Sequence, residues 1–209
     1  MMDAKTLTKG EQTRARLLDI AEASVLSKGF AATSIDEVIA AAGITKSGFF
    51  YHFKDKNHLA KAMLERYLSD DDELFDDLLA KADALHEDPL HSFLIFLRML
   101  AEVMGNLPRD FPGCLVAAYC YQDQLFSRDI RDMTGAGLLN WRARFRERLD
   151  RIAAVYPPRA DVNLDDLADM LSAVADGGII LSRALRDTTM LPRQVLAYRT
   201  YVRLLFLGN

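Results

Sequence analysis

Apolar positions along this chain recur at alternating three- and four-residue spacing, the period of a helix face, and no stretch alternates as a strand does. Residues 11–28 put Leu17, Leu18, Ala21 and Val25 on one face, and Gly29 closes the segment. Ile35, Val38, Ile39 and Ala42 form a second, shorter face. Ser34 stands just before it with Glu37 three residues on, a capping-box pattern. Gly43 supplies the positive φ that ends a helix in a sharp turn, and Thr45-Lys46-Ser47-Gly48 opens a third helix. Asp55 caps a fourth, which begins near Lys56 and runs into the 80s through Leu59, Met63, Tyr67, Leu74 and Leu78. The acidic run Asp70 to Glu73 within it reads as a solvated face, because contiguous residues point to different sides of a helix.

Further along, Pro89 sits at a helix start, and residues 90–105 are apolar nearly all round, the pattern of a helix buried in a bundle. Residues 114–126 are apolar and aromatic again, and a long amphipathic helix then carries Leu138, Trp141, Phe145, Leu149 and Ile152 as far as Pro157-Pro158. Leu164, Leu167, Leu171, Val174, Gly178, Leu181 and Leu185 form a coiled-coil-like seam. After Asp187 and Pro192, Val195, Tyr198, Val202 and Leu205 repeat it, with Leu196 and Leu204 on a second face. Two seams at the end of the chain predict a homodimer through a four-helix bundle, with Leu167, Leu171, Val174, Gly178, Leu181, Val195, Tyr198, Val202 and Leu205 at its interface. Gly177-Gly178 within the seam costs about 1 kcal/mol per residue relative to alanine, and such a pair marks a close helix approach or room for a ligand.

The expected fold class is all-α, with about nine helices. Two short helices joined at Gly43, the second with small hydroxyl and basic residues at its exposed N-terminus, have the layout of a helix-turn-helix. In that motif the second helix enters the major groove N-terminus first. The reading is DNA binding.

Composition narrows the classes. Half of the 209 residues are hydrophobic, enough for a sizeable core. No run reaches the roughly 18 apolar residues of a membrane helix, and the start, MMDAKTLTKGEQTR, has neither the apolar core nor the cleavage pattern of a secretory signal. A soluble, cytoplasmic protein with no membrane partner is expected. The net charge of −4 is uneven: residues 1–60 carry eight basic against seven acidic side chains, +1, which leaves −5 for residues 61–209. The basic residues flank the third helix and the N-terminal arm, and an acidic remainder keeps the rest of the molecule off phosphates.

Chemistry of other kinds is weakly represented. Cys114 and Cys120 fit no metal or CxxC spacing and read as buried inert thiols, with a redox switch as the alternative. His86 and His91 straddle Pro89 in a turn, and His52 and His58 lie on neighbouring elements, so surface histidines are expected rather than metal ligands. No Ser-His-Asp order, paired-carboxylate motif or phosphate-binding glycine loop appears, so neither an enzyme nor a cofactor is expected.

Residues 14–59 resemble the N-terminal DNA-binding domain of the tetracycline-repressor (TetR/AcrR) family of bacterial transcriptional regulators. The matching elements are Arg14-x-x-Leu17-Leu18-x-x-Ala21, Gly29-Phe30, Thr33-Ser34, Ala42-Gly43-Ile44 and Phe49-Phe50-Tyr51-His52-Phe53, followed by Lys56 and Leu59. The resemblance implies a three-helix DNA-binding domain over residues 1–54 and a helical ligand-binding and dimerisation domain over 55–209. It implies that Lys46, Ser47 and Gly48 face base edges or the adjacent backbone, and that Thr45 caps the recognition helix. Tyr51 and His52 then contact phosphate or base, Lys56 contacts phosphate, and Ser34 sets a helix N-terminus against a phosphate. Phe49 and Phe53 are expected in the core. Phe50 stands where the family usually has tyrosine, and Ile39 replaces its usual alanine.

The implied mechanism is a dimeric repressor whose recognition helices meet successive major grooves of a palindromic double-stranded operator, about 34–36 Å apart. A small apolar or amphipathic effector releases it by binding the non-DNA state better. Pocket candidates are Phe96, Met99, Leu100, Met104, Tyr119, Cys120, Trp141, Phe145 and Asp176, since methionines and aromatics make adaptable walls. Asp176 either pairs with an arginine such as Arg183 or marks a polar spot in the pocket. The alternative to a regulator is a helical small-molecule or redox sensor with a vestigial helix-turn-helix.

Overall fold

A computed structural model of the chain describes residues 8–109 and 111–208; Asp3 and Lys5 of the N-terminal arm lie outside them. The described residues form nine α-helices: α1 (Lys9–Lys28), α2 (Ile35–Ala42), α3 (Lys46–His52), α4 (Lys56–Leu85), α5 (Pro89–Gly105), α6 (Leu115–Cys120), α7 (Arg128–Val155), α8 (Leu164–Leu185) and α9 (Met190–Leu207). A 3-10 turn spans Asp123–Leu125, and no strand occurs among the described residues. The protein is all-α, as the periodicity predicts.

Helix ends follow local rules. Thr8 and Ser34 each head a complete capping box, with Glu11 and Glu37 returning the bond to the cap backbone. Asp55 Oδ1 accepts from the His58 N–H at 2.7 Å, and Asp88 Oδ1 accepts from that of His91 at 2.9 Å, with Pro89 in the first turn where its missing N–H costs nothing.

The chain forms two compact units. The first comprises the described residues up to Leu68 together with Cys114–Thr134; the second comprises Ser69–Gly113 and residues from Gly135 onward. Compactness therefore does not divide the chain at residue 54. The start of α4 packs with α1–α3, and so does the 114–134 segment. Tyr119 on α6 is buried, stacks on Phe126 with ring centres 4.2 Å apart, and donates its hydroxyl to the Ala60 carbonyl at 2.8 Å. Arg66 ties α4 to α1 through Asp19 (2.6 Å) and Glu22 (2.7 Å).

In the second unit, α5 buries Leu90, Phe93, Leu94, Phe96, Leu97 and Leu100, while Arg98 and Glu102 pair on its open side at 2.7 Å. The arginines of α7 reach outward in two directions. Arg144 pairs with Asp72 at 2.9 Å and also with Asp76, and Arg148 pairs with Asp83 at 2.6 Å; toward α8, Arg142 meets Asp169 and Arg146 meets Asp165. Asp72 is thus an inter-helix partner, which corrects the reading of Asp70 to Glu73 as merely solvated. Leu138, expected on the buried stripe of α7, is exposed.

The α8 and α9 seams pack on each other within one chain. Leu167, Leu171, Gly178, Val195, Tyr198, Val202 and Leu205 are all buried, and the Tyr198 hydroxyl donates to the Leu167 carbonyl at 2.8 Å. Their own chain already covers these residues, which the sequence reading put at a contact with a second copy. Of the expected interface, Val174 is half-buried and Leu181 is exposed. Gly178 has a packing reason: a Cβ there would lie 2.9 Å from the Leu191 Cα, a distance side chains do not tolerate, whereas one at Gly177 would meet nothing within 4 Å.

Candidate nucleic-acid interface

The core of the first unit presents α3. Phe49 and Phe53 are fully buried, and their rings lie 5.7 Å apart. Four-residue spacing puts both on one side, so Ser47, Phe50 and Tyr51 face outward, while Thr45 and Lys46, on the Phe49 side, are exposed because they lie at the open N-terminal end of the helix. Gly43 (φ 63) turns the chain from α2, and its N–H bonds the Ala40 and Ile39 carbonyls. Thr45 Oγ1 then caps α3 by accepting from the Gly48 N–H at 3.2 Å, and it lies 3.0 Å from Ser47 Oγ. Thr45, Lys46, Ser47 and Tyr51 are exposed, Tyr51 at 83% of its surface; Gly48 and His52 are half-buried. The Lys46 ammonium lies 3.8 Å from Asp36, too loosely paired in water to be held there.

Ser34 is occupied as the α2 cap, its Oγ accepting from the Glu37 N–H at 3.2 Å, while Lys28 pairs with Glu37 at 2.7 Å. The Glu37 carboxyl is held below its ordinary value by the Lys28 hydrogen bond, then by the Ser34 N–H. Around the free N-terminus of α2 the charge is therefore balanced rather than purely basic.

Lys56 is placed differently from its expected role. Its Nζ donates to the Phe30 carbonyl at 2.5 Å and stands 4.2 Å from the Phe30 ring centre, and burial lowers its pKa. The lysine left exposed in that turn is Lys54, whose backbone N–H donates to His58 Nδ1 at 3.1 Å. Arg14 on α1 lies over the Phe53 ring, 5.3 Å from its centre. Sequence reasoning passed over Lys54, although its place between a buried Phe53 and a capping Asp55 is a local signal for exposure.

Residues 17–63 match the family profile of bacterial regulatory proteins, tetR family. That N-terminal segment is a TetR-family DNA-binding domain. It is 28% identical over 109 residues to the probable HTH-type transcriptional regulator ArpR of Pseudomonas putida, covering 52% of this chain and 49% of ArpR. It is 36% identical over 64 residues to the HTH-type transcriptional regulator AcrR of Shigella flexneri, covering 31% of this chain and 30% of AcrR. The chain therefore spans half or less of the length of these relatives. Among solved structures, a TetR transcriptional regulator from Chloroflexus aurantiacus superposes with a TM-score of 0.75 at 26% identity, over 94% of this chain and 96% of that one. A TetR-family regulator from Agrobacterium tumefaciens reaches 0.76 at 16% identity, over 92% and 98%, a likeness of fold.

The pocket candidates do not come together as one set. Tyr119 and Cys120 belong to the first unit, Tyr119 as buried core whose hydroxyl pKa is driven up by burial, Cys120 as an exposed residue. In the second unit Phe96, Trp141 and Phe145 surround Phe75, with ring centres 6.5, 6.3 and 5.3 Å from it, and Leu100 is buried beside Phe96 in sequence register. That aromatic cluster is packed core. Met99 and Asp176 are half-buried. Met104 alone of the nine lines either of the adjoining clefts between the α5–α6 connection and the α8–α9 turn.

Two other expectations change. Cys114 is half-buried, with its sulfur capping α6, and Cys120 is exposed, so neither is a fully buried thiol; no disulfide joins them. His86, Asp88 and His91 gather with their ligand atoms within 4.8 Å of one another. The cluster serves the α5 cap: His91 Nδ1 lies 2.8 Å from Asp88 Oδ1, His86 Nδ1 accepts from the Asp88 N–H at 3.1 Å, and the two imidazoles stack.

Proposed function

We propose that this chain is a DNA-binding transcriptional regulator, not an enzyme, that acts as a homodimer on a palindromic double-stranded operator in the cytoplasm. The observation that carries the reading is α3: a capped helix, anchored by two fully buried phenylalanines, whose Thr45 and Lys46 stand exposed at its N-terminal end and whose Ser47 and Tyr51 stand exposed on the side opposite the phenylalanines. A helix presented this way reads base edges with its N-terminal side chains. Lys46 and Ser47 are assigned base-edge contacts, Gly48 lets backbone approach, Tyr51 and His52 reach phosphate or sugar, and Ser34 and Thr45 serve as caps whose helix N-termini favour phosphate. Lys54 takes the phosphate role first given to Lys56. Residues 1–54 carry DNA reading, and residues 55–209 carry dimerisation and effector response.

The dimer face is assigned to the side of α8 and α9 that the chain leaves open. Met170, Ala173, Ile180 and Ala184 are exposed at three- and four-residue spacing on α8 with Gly177 among them, and Ala197, Tyr201 and Leu204 are exposed on α9. Small residues interleaved with large apolar ones suit close packing of a second copy. No helix among the described residues is long and apolar enough to cross a membrane.

Release by a small-molecule effector, and repression rather than activation, follow the resemblance. Selection of binding sites from random DNA by the purified protein, repeated with a metabolite panel, tests the reading: recovery of no sequence preference sinks it. The second reading, a redox or small-molecule sensor with a vestigial helix-turn-helix, draws on the exposed Cys120. It requires an oxidant response that Cys120→Ser abolishes.

A further inference from the structure

Helix α8 has three stripes. One is buried against α9, one is the open face assigned to the dimer, and the third, on the other side of the buried stripe, carries Ile179, Ser182, Arg183 and Arg186. This third stripe faces the α5–α6 connection across an open cleft of about 680 Å³ whose rim holds Arg109, Arg183 and Arg186. The cleft adjoins a smaller crevice of about 40 Å³ lined in part by Met104, Ile179 and Leu191. Among the described residues, three guanidiniums border this space against one carboxylate, Asp187, and Thr189 already holds that carboxylate through its N–H (2.9 Å) and hydroxyl (2.7 Å). Arg183 is braced by donating to the Pro112 carbonyl, which leaves the rest of its guanidinium to the cleft. Arg109 and Arg186 form no ion pair with any described residue.

Arg186 supplies an independent sign. It is the one described non-glycine residue with positive φ (54), at the C-terminal cap of α8. Helices end in this conformation with glycine or asparagine, because a Cβ is strained there. An arginine kept in a strained position at the rim of a basic cleft is what a ligand contact looks like.

We propose that this cleft binds a small amphipathic carboxylate, its head held by Arg109 and Arg186 and its short alkyl end in the crevice by Ile179 and Leu191. A planar guanidinium fork matches a carboxylate with two parallel hydrogen bonds, and the crevice beside Ile179 and Leu191 offers apolar contact to a chain of a few carbons. The site lies apart from the aromatic cluster around Phe75, which is filled by its own rings. The proposal rests on the ligand-responsive reading above for the consequence of binding, not for binding itself.

The test is calorimetry on the 209-residue chain without DNA, using straight-chain carboxylates from propanoate to octanoate and their primary amides. Carboxylates are expected to bind saturably and to tighten with chain length until the crevice is full, with amides weaker by about tenfold or more. Arg186→Gly removes a contact while relieving strain, so it is expected to keep or raise Tm while losing affinity about tenfold; Arg109→Gln loses affinity at unchanged Tm. The proposal is overturned by amides binding as well as acids, by no saturable binding of any acid, or by Arg186→Gly binding as the unaltered protein does. Adding octanoate to the protein–DNA complex separates the two ideas: binding without release supports the cleft and sinks the release mechanism.

Discussion

The Lys56 ammonium is bound by Phe30 twice over, at 2.5 Å from its carbonyl oxygen and 4.2 Å from the centre of its ring. This pair closes the α1–α2 connection onto the start of α4, and burial of the amine lowers its pKa. A carbonyl bonded to a charged donor loses more than an ordinary hydrogen bond when that donor is removed. Lys56→Ala is expected to destabilise the protein by about 1–2 kcal/mol, seen as a lower urea midpoint. Lys54→Ala is expected to leave the midpoint unchanged while weakening binding to all DNA sequences and reducing the slope of log K against log salt by about one. The reverse pattern would return Lys56 to the phosphate.

Sequence preference is expected to sit at Lys46 and Ser47. Both are exposed in the first turn of α3, and Lys46 is held only by a distant Asp36 at 3.8 Å. Lys46→Ala is expected to relax one or two positions of a selected site at a cost of about 1–3 kcal/mol for that sequence, with Tm unchanged. An unaltered consensus from randomised DNA would remove α3 from the groove.

The α2–α3 region was legible in the chain because its determinants are local. Ser34, Glu37, Gly43 and Thr45 act within a few residues, and Phe49 and Phe53 repeat at one helical turn. What escaped was decided at a distance. Lys56 turns inward because of Phe30, 26 residues earlier, and no periodicity carries that. On α8 two apolar stripes compete, Leu167-Leu171-Gly178 and Met170-Ala173-Ile180, and only the fit of Gly178 against Leu191 on α9 decides which is buried. Residues 114–126 read only as an apolar, aromatic stretch, but the hydrogen bond from Tyr119 to the Ala60 carbonyl, 59 residues away, ties them into the first unit.

Acid sensitivity is expected to collect at Asp88. Burial raises its pKa, but hydrogen bonds from the Tyr156 hydroxyl, the His91 N–H and the His91 ring outweigh that and bring it from 3.8 to about 2. A carboxylate with a depressed folded pKa contributes stability above its unfolded pKa and loses it as pH falls through the folded one. That contribution is therefore whole at neutral pH and disappears between about pH 4 and pH 2. Asp88→Asn keeps a capping oxygen for α5 and removes the charge. Its stability at neutral pH is expected to fall and its loss across the acid window to be shallower than that of the unaltered protein. Parallel acid-unfolding curves would show that Asp88 is not the responsible group.

The two stripes of α8 predict opposite behaviour for neighbouring substitutions. Gly178→Ala places a methyl 2.9 Å from the Leu191 Cα and is expected to cost about 1–3 kcal/mol through forced separation of α8 and α9. Gly177→Ala meets nothing within 4 Å in its own chain and is expected to raise the stability of the isolated chain by about 0.5–1 kcal/mol through helix propensity. Leu171→Ala, in the buried stripe, is expected to cost about 2–4 kcal/mol of folding stability with the oligomer intact under native conditions. Ile180→Glu puts a charge on the open face, where 55% of the side chain's residue surface is exposed, and is expected to yield folded monomers in sedimentation at micromolar concentration with DNA affinity lost, since one half-site cannot hold the operator. A dimer that survives Ile180→Glu but dissociates on a conservative change at Leu171 would restore the buried seam as the contact between copies, and with it a rearrangement of α8 and α9 between monomer and dimer.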